Sequence, residues 1–151
     1  MKKINNFFNY LMAFSFSFLI LFSHGVELTP DNLDGVKKVT AQEAKKLQDA
    51  GAMMIDTRIA LEHATKTIKG SKSVIYKEKS AKVAKFDKSV DSFDLSQLPA
   101  DKTKAIVIFC QGAECWKSYK ASVFARDAGY TNVYWLRGGL PEWAEAGLPT
   151  Q

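Results

Sequence analysis

The stretch AIVIFCQGAECWKSYKASVFARDAG, residues 105–129, contains a strand, a short loop and a helix in direct succession. Its run IVIF is apolar throughout and rich in β-branched and aromatic residues, which is typical of a strand buried on both faces. From Trp116 onward, apolar residues recur at helical spacing until Gly129, which indicates an amphipathic helix. A strand that leads at once into a helix is the repeating unit of α/β proteins with a parallel sheet.

Strands and helices alternate along the rest of the chain. Thr40, with Glu43 three residues later, predicts a capped helix that ends near Gly51. Strands are predicted in AMMID, SVIY and NVYWL, one helical turn in LEHATKTI and a last helix in RGGLPEWAEAG, whereas residues 77–103 are polar and irregular. We therefore predict a single α/β domain with a mainly parallel central sheet and helices on both faces.

The N-terminus has the composition of a targeting segment. Lys2 and Lys3 precede an apolar run from Tyr10 to Phe22, and small residues follow up to Gly25. This pattern predicts a signal peptide over residues 1–25, cleaved after Gly25, and a mature domain over residues 26–151 that is exported, most simply to the periplasm. The run is short for a membrane span of about 20 residues, so an anchor formed by residues 7–22 is the minor alternative.

The distribution of charge argues against nucleic-acid binding, and the small number of metal-ligating residues argues against a structural zinc site. The formal net charge is +5, and loss of Lys2 and Lys3 with the leader lowers it by two. The remaining lysines are dispersed along the chain, so no nucleic-acid partner is expected. The chain holds two cysteines and two histidines, His24 and His63, which do not form the second close pair that a structural zinc site needs. We therefore expect neither a metal nor a cofactor.

The two cysteines, Cys110 and Cys115, lie around one tight turn. A disulfide that closes so short a loop stabilises a fold very little, so a structural bridge is disfavoured. Cys110 directly follows the most apolar strand, and ligands of open parallel sheets bind at the carboxyl ends of the strands. Backbone N–H groups and the helix dipole at this position favour a thiolate or a sulfur-bound anion, which predicts a depressed pKa for Cys110.

Two segments resemble the rhodanese-like domain family, and the resemblance extends over about residues 37–149. The first segment is MMIDTRIALEHATKTIKGSKSV, in which Asp56, Arg58, Glu62 and Gly70 match family positions. The second is IVIFCQGAECWKSYKASVFARDAGYTNVYWLRGGLPEWAEAGLP, in which Cys110, the loop after it, Gly138-Gly139, Trp143 and GLP match. The arrangement C-x4-C-W is similar to that of an exported subset of the family.

The resemblance implies that Cys110 is a nucleophile that carries sulfane sulfur as a persulfide. The implied partners are a small sulfur-containing donor and a thiol or cyanide-like acceptor, which includes a protein thiol. The loop implied to hold the persulfide consists of Gln111, Gly112, Ala113, Glu114, Cys115 and Trp116. The residues implied to support this loop are Asp56, Arg58, Lys117, Gly138 and Gly139.

Departures from the family pattern restrict the chemistry. Many sulfurtransferase loops contain an arginine, but this loop has none and carries the acidic Glu114, which disfavours a dianionic donor such as thiosulfate. Phosphatases of this fold hold phosphate with an arginine at the end of the loop, where this chain has Trp116. Since tryptophan cannot form that bidentate contact, phosphatase activity is not expected.

Cys115 leaves two interpretations open. It is either a resolving thiol that closes a disulfide with an oxidised or persulfidated Cys110, or a small loop residue whose sulfur is incidental. Three functions therefore remain at this stage. The first is an exported sulfurtransferase, the second is a thiol-disulfide redox protein that uses Cys110 and Cys115, and the third is a non-catalytic module that binds persulfide or polysulfide.

Overall fold

The structure is a computed structural model and describes residues 27–151. The signal peptide predicted over residues 1–25 and the alternative anchor over residues 7–22 lie outside the described residues. Among the described residues, no helix combines the length and the apolar character that crossing a membrane requires.

Seven strands and four α-helices form between residues 27 and 151. The strands are β1 (Lys37–Lys38), β2 (Met53–Asp56), β3 (Lys72–Ser73), β4 (Tyr76–Lys77), β5 (Ser92–Phe93), β6 (Ile106–Phe109) and β7 (Val133–Leu136). The helices are α1 (Ala41–Asp49), α2 (Ala60–Thr65), α3 (Trp116–Asp127) and α4 (Gly139–Glu145).

Five strands form one sheet in the order β1-β7-β6-β2-β3, and every pair in it is parallel. The register of the central pair places Asp56 of β2 beside Phe109 of β6. The residues that follow these two strands therefore leave the sheet at the same edge. The predicted parallel sheet with helices on both faces is confirmed.

Alternate residues of the central strands point to opposite faces, as strand geometry requires. Ile106 and Ile108 of β6 pack with α3 on one face, whereas Val107 and Phe109 pack with α1 and α4 on the other. Because both faces are covered, the whole of β6 is buried, and this explains why its sequence is apolar without interruption.

The helix boundaries agree with the sequence signals. Thr40 and Glu43 form the predicted capping box at the start of α1, since each side chain accepts a hydrogen bond from the backbone N–H of the other. Gly51 and Gly129 follow the ends of α1 and α3 with φ values of 96° and 91°, in the left-handed region that glycine enters most easily.

Two predictions differ from the structure. SVIY does not form one strand, because β3 at the sheet edge ends at Ser73 and β4 pairs with β5 in a separate antiparallel hairpin. Residues 77–103 are also less irregular than expected. The buried Lys120 of α3 holds them by hydrogen bonds to Glu78 (2.7 Å) and to the Ser80 hydroxyl (2.8 Å).

Candidate active site

Cys110 is the first residue after β6, at the carboxyl end of the central strand, as predicted. The next five residues form a tight loop, and α3 begins at Trp116. Gly112 in this loop has a φ of 131°, a conformation that a residue with a side chain rarely adopts. The strand and the helix thus fix both ends of the loop that carries the two cysteines.

Gly139 closes the floor of the loop by a close backbone approach. The adjacent Leu140 N–H donates to the Cys110 carbonyl at 2.9 Å. A Cβ on Gly139 would lie 2.2 Å from the Cys110 carbonyl oxygen and 2.6 Å from the Gly112 nitrogen, and its φ is 62°. Only glycine fits here, which gives a physical reason for the Gly138-Gly139 pair noted in the sequence.

The Cys110 sulfur is completely buried. It lies 2.9 Å from the Ser118 hydroxyl oxygen, 3.1 Å from the Cys115 carbonyl oxygen and 3.9 Å from the Gly112 carbonyl oxygen. The Ser118 hydroxyl also accepts a hydrogen bond from the Trp135 indole N–H at 3.0 Å, so its own proton is free to point at the sulfur.

The expected depression of the Cys110 pKa is wrong for this arrangement of the loop. Burial raises the pKa of the Cys110 thiol well above its usual range, and the neighbouring Cys115 sulfur raises it further. Hydrogen bonds from the Ser118 hydroxyl and backbone oppose this effect but do not outweigh it. Two carbonyl oxygens face the sulfur, and carbonyl oxygens repel a thiolate instead of stabilising it.

Cys115 has the opposite character. The pKa of Cys115 is lowered to about 6. The largest cause is a hydrogen bond from the Cys110 thiol, and burial acts in the opposite direction. The backbone N–H groups of Gln111 and Lys117 and the Lys117 charge lower this pKa further. The N–H groups that were expected to stabilise a Cys110 anion therefore act on Cys115. Both cysteines are present as free thiols.

A pocket of about 520 Å³ opens at the loop. Its lining combines the loop with residues of three other segments of the chain: Leu28, Glu78, Lys82, Gln111, Gly112, Ala113, Glu114, Cys115, Trp116, Lys117, Gly138 and Pro141. Cys115 is part of this lining, whereas the buried Cys110 is not. The charges of its two glutamates offset those of its two lysines, so the lining has no excess positive charge that would attract a dianion.

Asp56 and Arg58 form a buried ion pair, with 2.7 Å between Nη2 and Oδ2. Arg58 also donates to the Gln111 side-chain oxygen at 3.0 Å, which connects the pair to the loop. Asp56 accepts further hydrogen bonds from the Thr67 hydroxyl (2.8 Å) and contacts His63 Nδ1 at 3.0 Å. Burial alone would raise the pKa of Asp56, but the hydrogen bonds from Arg58, Thr67 and His63 outweigh it and lower that pKa.

The segment 27–30, here called the strap, crosses over the loop. The Thr29 backbone N–H donates to the Ala113 carbonyl at 2.8 Å, and the Trp116 indole N–H donates to the Glu27 carbonyl at 2.9 Å. Arg137 also holds the strap, since its guanidinium donates to the carbonyls of Thr29 (2.6 Å) and Pro30 (3.1 Å). The strap thus supplies one wall of the pocket.

The structure brings together all the residues expected at the site, including Lys117 and Gly138 in the pocket lining. Sequence reasoning missed Ser118, Trp135 and the strap, and it did not anticipate the contact of His63 with Asp56. The spacing of Ser118 and Ser122, one turn apart on the buried side of α3, was the available signal for Ser118. Within residues 27–151, no three His, Cys, Asp or Glu side chains are grouped closely enough to hold a metal ion.

Comparison with known proteins gives a family and several relatives. Residues 40–146 match the family model described as "Rhodanese-like domain". A tRNA uridine(34) hydroxylase from Synechocystis sp. is 29% identical over 125 residues, which cover 83% of this chain and 41% of the relative. A sulfurtransferase from Allochromatium vinosum is 38% identical over 55 residues, which cover 36% of this chain and 48% of the relative. The matches thus span less than half the length of each of these two relatives.

Solved structures share the fold. A thiosulfate sulfurtransferase from Pseudomonas aeruginosa superposes with a TM-score of 0.57 and 24% identity, over 77% of this chain and 20% of that one. The polysulfide-sulfur transferase homodimer from Wolinella succinogenes gives a TM-score of 0.56 and 24% identity, over 78% of this chain and 79% of that one. At this level of identity, the similarity shows a common fold.

Proposed function

This chain belongs to the rhodanese-like domain family, and on that premise we propose that it is an exported sulfurtransferase that moves sulfane sulfur through a persulfide on Cys110. The observation that carries the proposal is the position of Cys110, at the end of the central strand and at the start of a loop that opens into α3. The partial match to the Allochromatium vinosum sulfurtransferase supports the same activity.

The reaction consists of two half-reactions. In the first, a cysteine thiolate attacks the outer sulfur of a donor R–S–SH, the S–S bond of the donor breaks, and R–S⁻ leaves with the electron pair. In the second, an acceptor such as cyanide attacks the outer sulfur of the Cys110 persulfide, which yields thiocyanate and returns the Cys110 thiolate. No net oxidation occurs, so no redox cofactor is required.

The pocket supports a donor and an acceptor of low charge. Glu114 and Glu78 in its lining offset Lys82 and Lys117, so a persulfide, a polysulfide or a thiol fits better than a dianion such as thiosulfate. The opening also lies beside the exposed Gln111 and Glu114, where the thiol of a partner protein could approach. We propose small persulfides as donors, and a low-molecular-weight or protein thiol as acceptor.

The test is sulfur transfer from glutathione persulfide to cyanide, measured as thiocyanate. Wild type is expected to turn over, and Cys110→Ser is expected to be inactive although its fold is kept, because one γ-atom changes and the backbone of the loop remains. Ser122→Ala is the matched control, since its buried hydroxyl donates to the Ser118 carbonyl at 2.8 Å and touches neither thiol. A Cys110→Ser protein that transfers sulfur at the wild-type rate would contradict the proposal.

A second candidate is a thiol-disulfide redox protein, and the contact between the two free thiols favours it. The intact mass of the purified protein separates the candidates. A gain of about 32 Da on the cysteine peptide indicates a persulfide, whereas a loss of about 2 Da indicates a disulfide. A non-catalytic binding module is the third candidate; it would keep the added sulfur and show no turnover with any acceptor.

Export is part of the proposal and rests on the N-terminal sequence pattern alone. N-terminal sequencing of the protein from the cell envelope of its source is expected to give Val26 as the first residue. A protein that begins at Met1 in the membrane fraction would favour the anchor formed by residues 7–22.

A further inference from the structure

We propose that Cys115 is the thiol that meets the sulfur donor, and that it passes the sulfur inward to Cys110. This inference rests on the proposed sulfurtransferase function and assigns the first step of that reaction to a residue outside the position that matches the family nucleophile. Cys110 then serves as the buried carrier of the persulfide.

Access is the first argument. Cys115 lines the pocket of about 520 Å³ and is half-buried, whereas Cys110 has no exposed surface and does not line the pocket. The backbone of the loop covers the Cys110 sulfur, since the Cys115 carbonyl oxygen stands 3.1 Å from it. A donor in the pocket therefore reaches the Cys115 side chain before it can reach Cys110.

Charge stabilisation is the second argument. The backbone N–H groups of Gln111 and Lys117 point at the Cys115 sulfur, which lies at the positive end of the α3 dipole. The Cys110 sulfur instead faces the carbonyl oxygens of Cys115 and Gly112. The attacking thiolate is therefore more stable at Cys115 than at Cys110.

The transfer of sulfur from Cys115 to Cys110, here called the relay, balances in atoms and electrons without a further reactant. The Cys115 thiolate attacks the outer sulfur of R–S–SH, the donor S–S bond breaks, and R–S⁻ leaves while a Cys115 persulfide forms. The Cys110 sulfur then attacks the outer sulfur of the Cys115 persulfide and releases Cys115 as a thiolate. The Cys110 proton moves to that thiolate, which is already its hydrogen-bond partner. One S–S bond breaks and one forms in each step.

The experiment follows sulfur loading in wild type and in two single-thiol variants, Cys110→Ser and Cys115→Ser. Each protein is mixed with glutathione persulfide, quenched with iodoacetamide at timed intervals and analysed for a gain of about 32 Da. Trypsin leaves both positions on peptide 105–117, so the single-thiol variants and fragment ions assign the site. Cys110→Ala and Cys115→Ala are run in parallel, and tryptophan fluorescence with thermal melting verifies each fold.

We expect the Cys110→Ser protein to gain sulfur on Cys115 and to form no thiocyanate from it when cyanide is added. We expect the Cys115→Ser protein to load Cys110 at least about tenfold more slowly than wild type. Loading of Cys110 at the wild-type rate in both Cys115 variants would overturn the relay and leave the sulfurtransferase proposal intact. A wild-type protein that gains no sulfur would overturn both.

Discussion

The Ser118 hydroxyl oxygen lies 2.9 Å from the Cys110 sulfur, and both groups are completely buried. The Trp135 indole N–H occupies one lone pair of that oxygen, at 3.0 Å, so the hydroxyl proton is left for the sulfur. The position of Ser118 therefore makes it a hydrogen-bond donor to any negative charge that develops on Cys110.

Ser118→Ala should raise the pKa of Cys110 further, because the Ser118 hydroxyl lowers it in wild type. We expect cyanide-dependent turnover to fall about tenfold, equivalent to about 1.4 kcal/mol in the barrier, and its pH dependence to move to higher pH. The buried Trp135 N–H loses its acceptor as well, which should cost about 1–3 kcal/mol in the free energy of unfolding. Ser122→Ala serves as the control, and identical pH profiles for the two variants would exclude a role of Ser118 at the sulfur.

Gly139→Ala should disrupt the loop, since the new Cβ would collide with the Cys110 carbonyl oxygen and the Gly112 nitrogen. Gly147 offers a matched control, because its φ of 68° is close to the 62° of Gly139 but a Cβ there meets nothing within 4 Å. Gly147→Ala should therefore show only the backbone strain, about 1–2 kcal/mol, and normal sulfur transfer. Chemical denaturation and turnover measure both effects. Equal losses in the two variants would show that the close approach at Gly139 is unimportant.

Asp56→Asn should destabilise the fold by about 3–5 kcal/mol at neutral pH, because it leaves the buried Arg58 guanidinium without its counter-ion. Asp49, whose side chain is 62% exposed in an ion pair with Lys45, is the control, and Asp49→Asn should change stability by less than about 1 kcal/mol.

The same aspartate predicts the effect of acid. The pKa of Asp56 is lower in the folded protein than its unfolded value of about 3.9, so its stabilising contribution is fully present above that pH and is lost as the pH falls below it. The difference in unfolding free energy between wild type and Asp56→Asn should consequently narrow below about pH 4. A difference that stays constant down to pH 2 would contradict the assignment.

Alkylation should distinguish the two thiols. Because the pKa of Cys115 is lowered to about 6, its reaction with iodoacetamide should reach half of its maximal rate near that pH, well below the midpoint of about 8.5 for a free cysteine. Cys110 should stay unmodified in the folded protein over the same interval. Cys110→Ala removes the main hydrogen-bond donor to the Cys115 sulfur and should move the midpoint upward. A wild-type midpoint near 8.5 would contradict the described geometry.

The central unit of the fold is predictable from sequence because its signals are local. The uninterrupted apolar run of β6 reflects burial on both faces, and β6 and α3 both occur where they were expected. The predicted amphipathic character of α3 is wrong, because Ser118, Lys120 and Ser122 are buried together with its apolar residues.

SVIY failed as a single strand because the chain changes its partner within it: Ser73 pairs with Asp56 at the edge of the main sheet, whereas Tyr76 pairs with Phe93 in the separate antiparallel pair. No short-range signal in the sequence marks this change of partner.

The site was predictable where it depends on chain position and not where it depends on long-range contacts. Cys110 follows the central strand directly, whereas the contact between Thr29 and Ala113 joins residues 84 positions apart. The direction of the Cys110 pKa shift was wrong for a related reason. A loop at a helix N-terminus suggests inward N–H groups, but in this loop the carbonyls of Gly112 and Cys115 are the groups that face Cys110.

The strap has a consequence for how this protein can diverge from its relatives. The segment 27–30 lies outside residues 40–146, which the family model matches, yet Leu28 forms part of the pocket wall. Selection can therefore reshape one side of the pocket through a few residues that lie outside the part of the chain shared with the family. Two proteins with the same catalytic loop can in this way acquire different substrate preferences, and a comparison limited to the shared domain would rank them as equivalent.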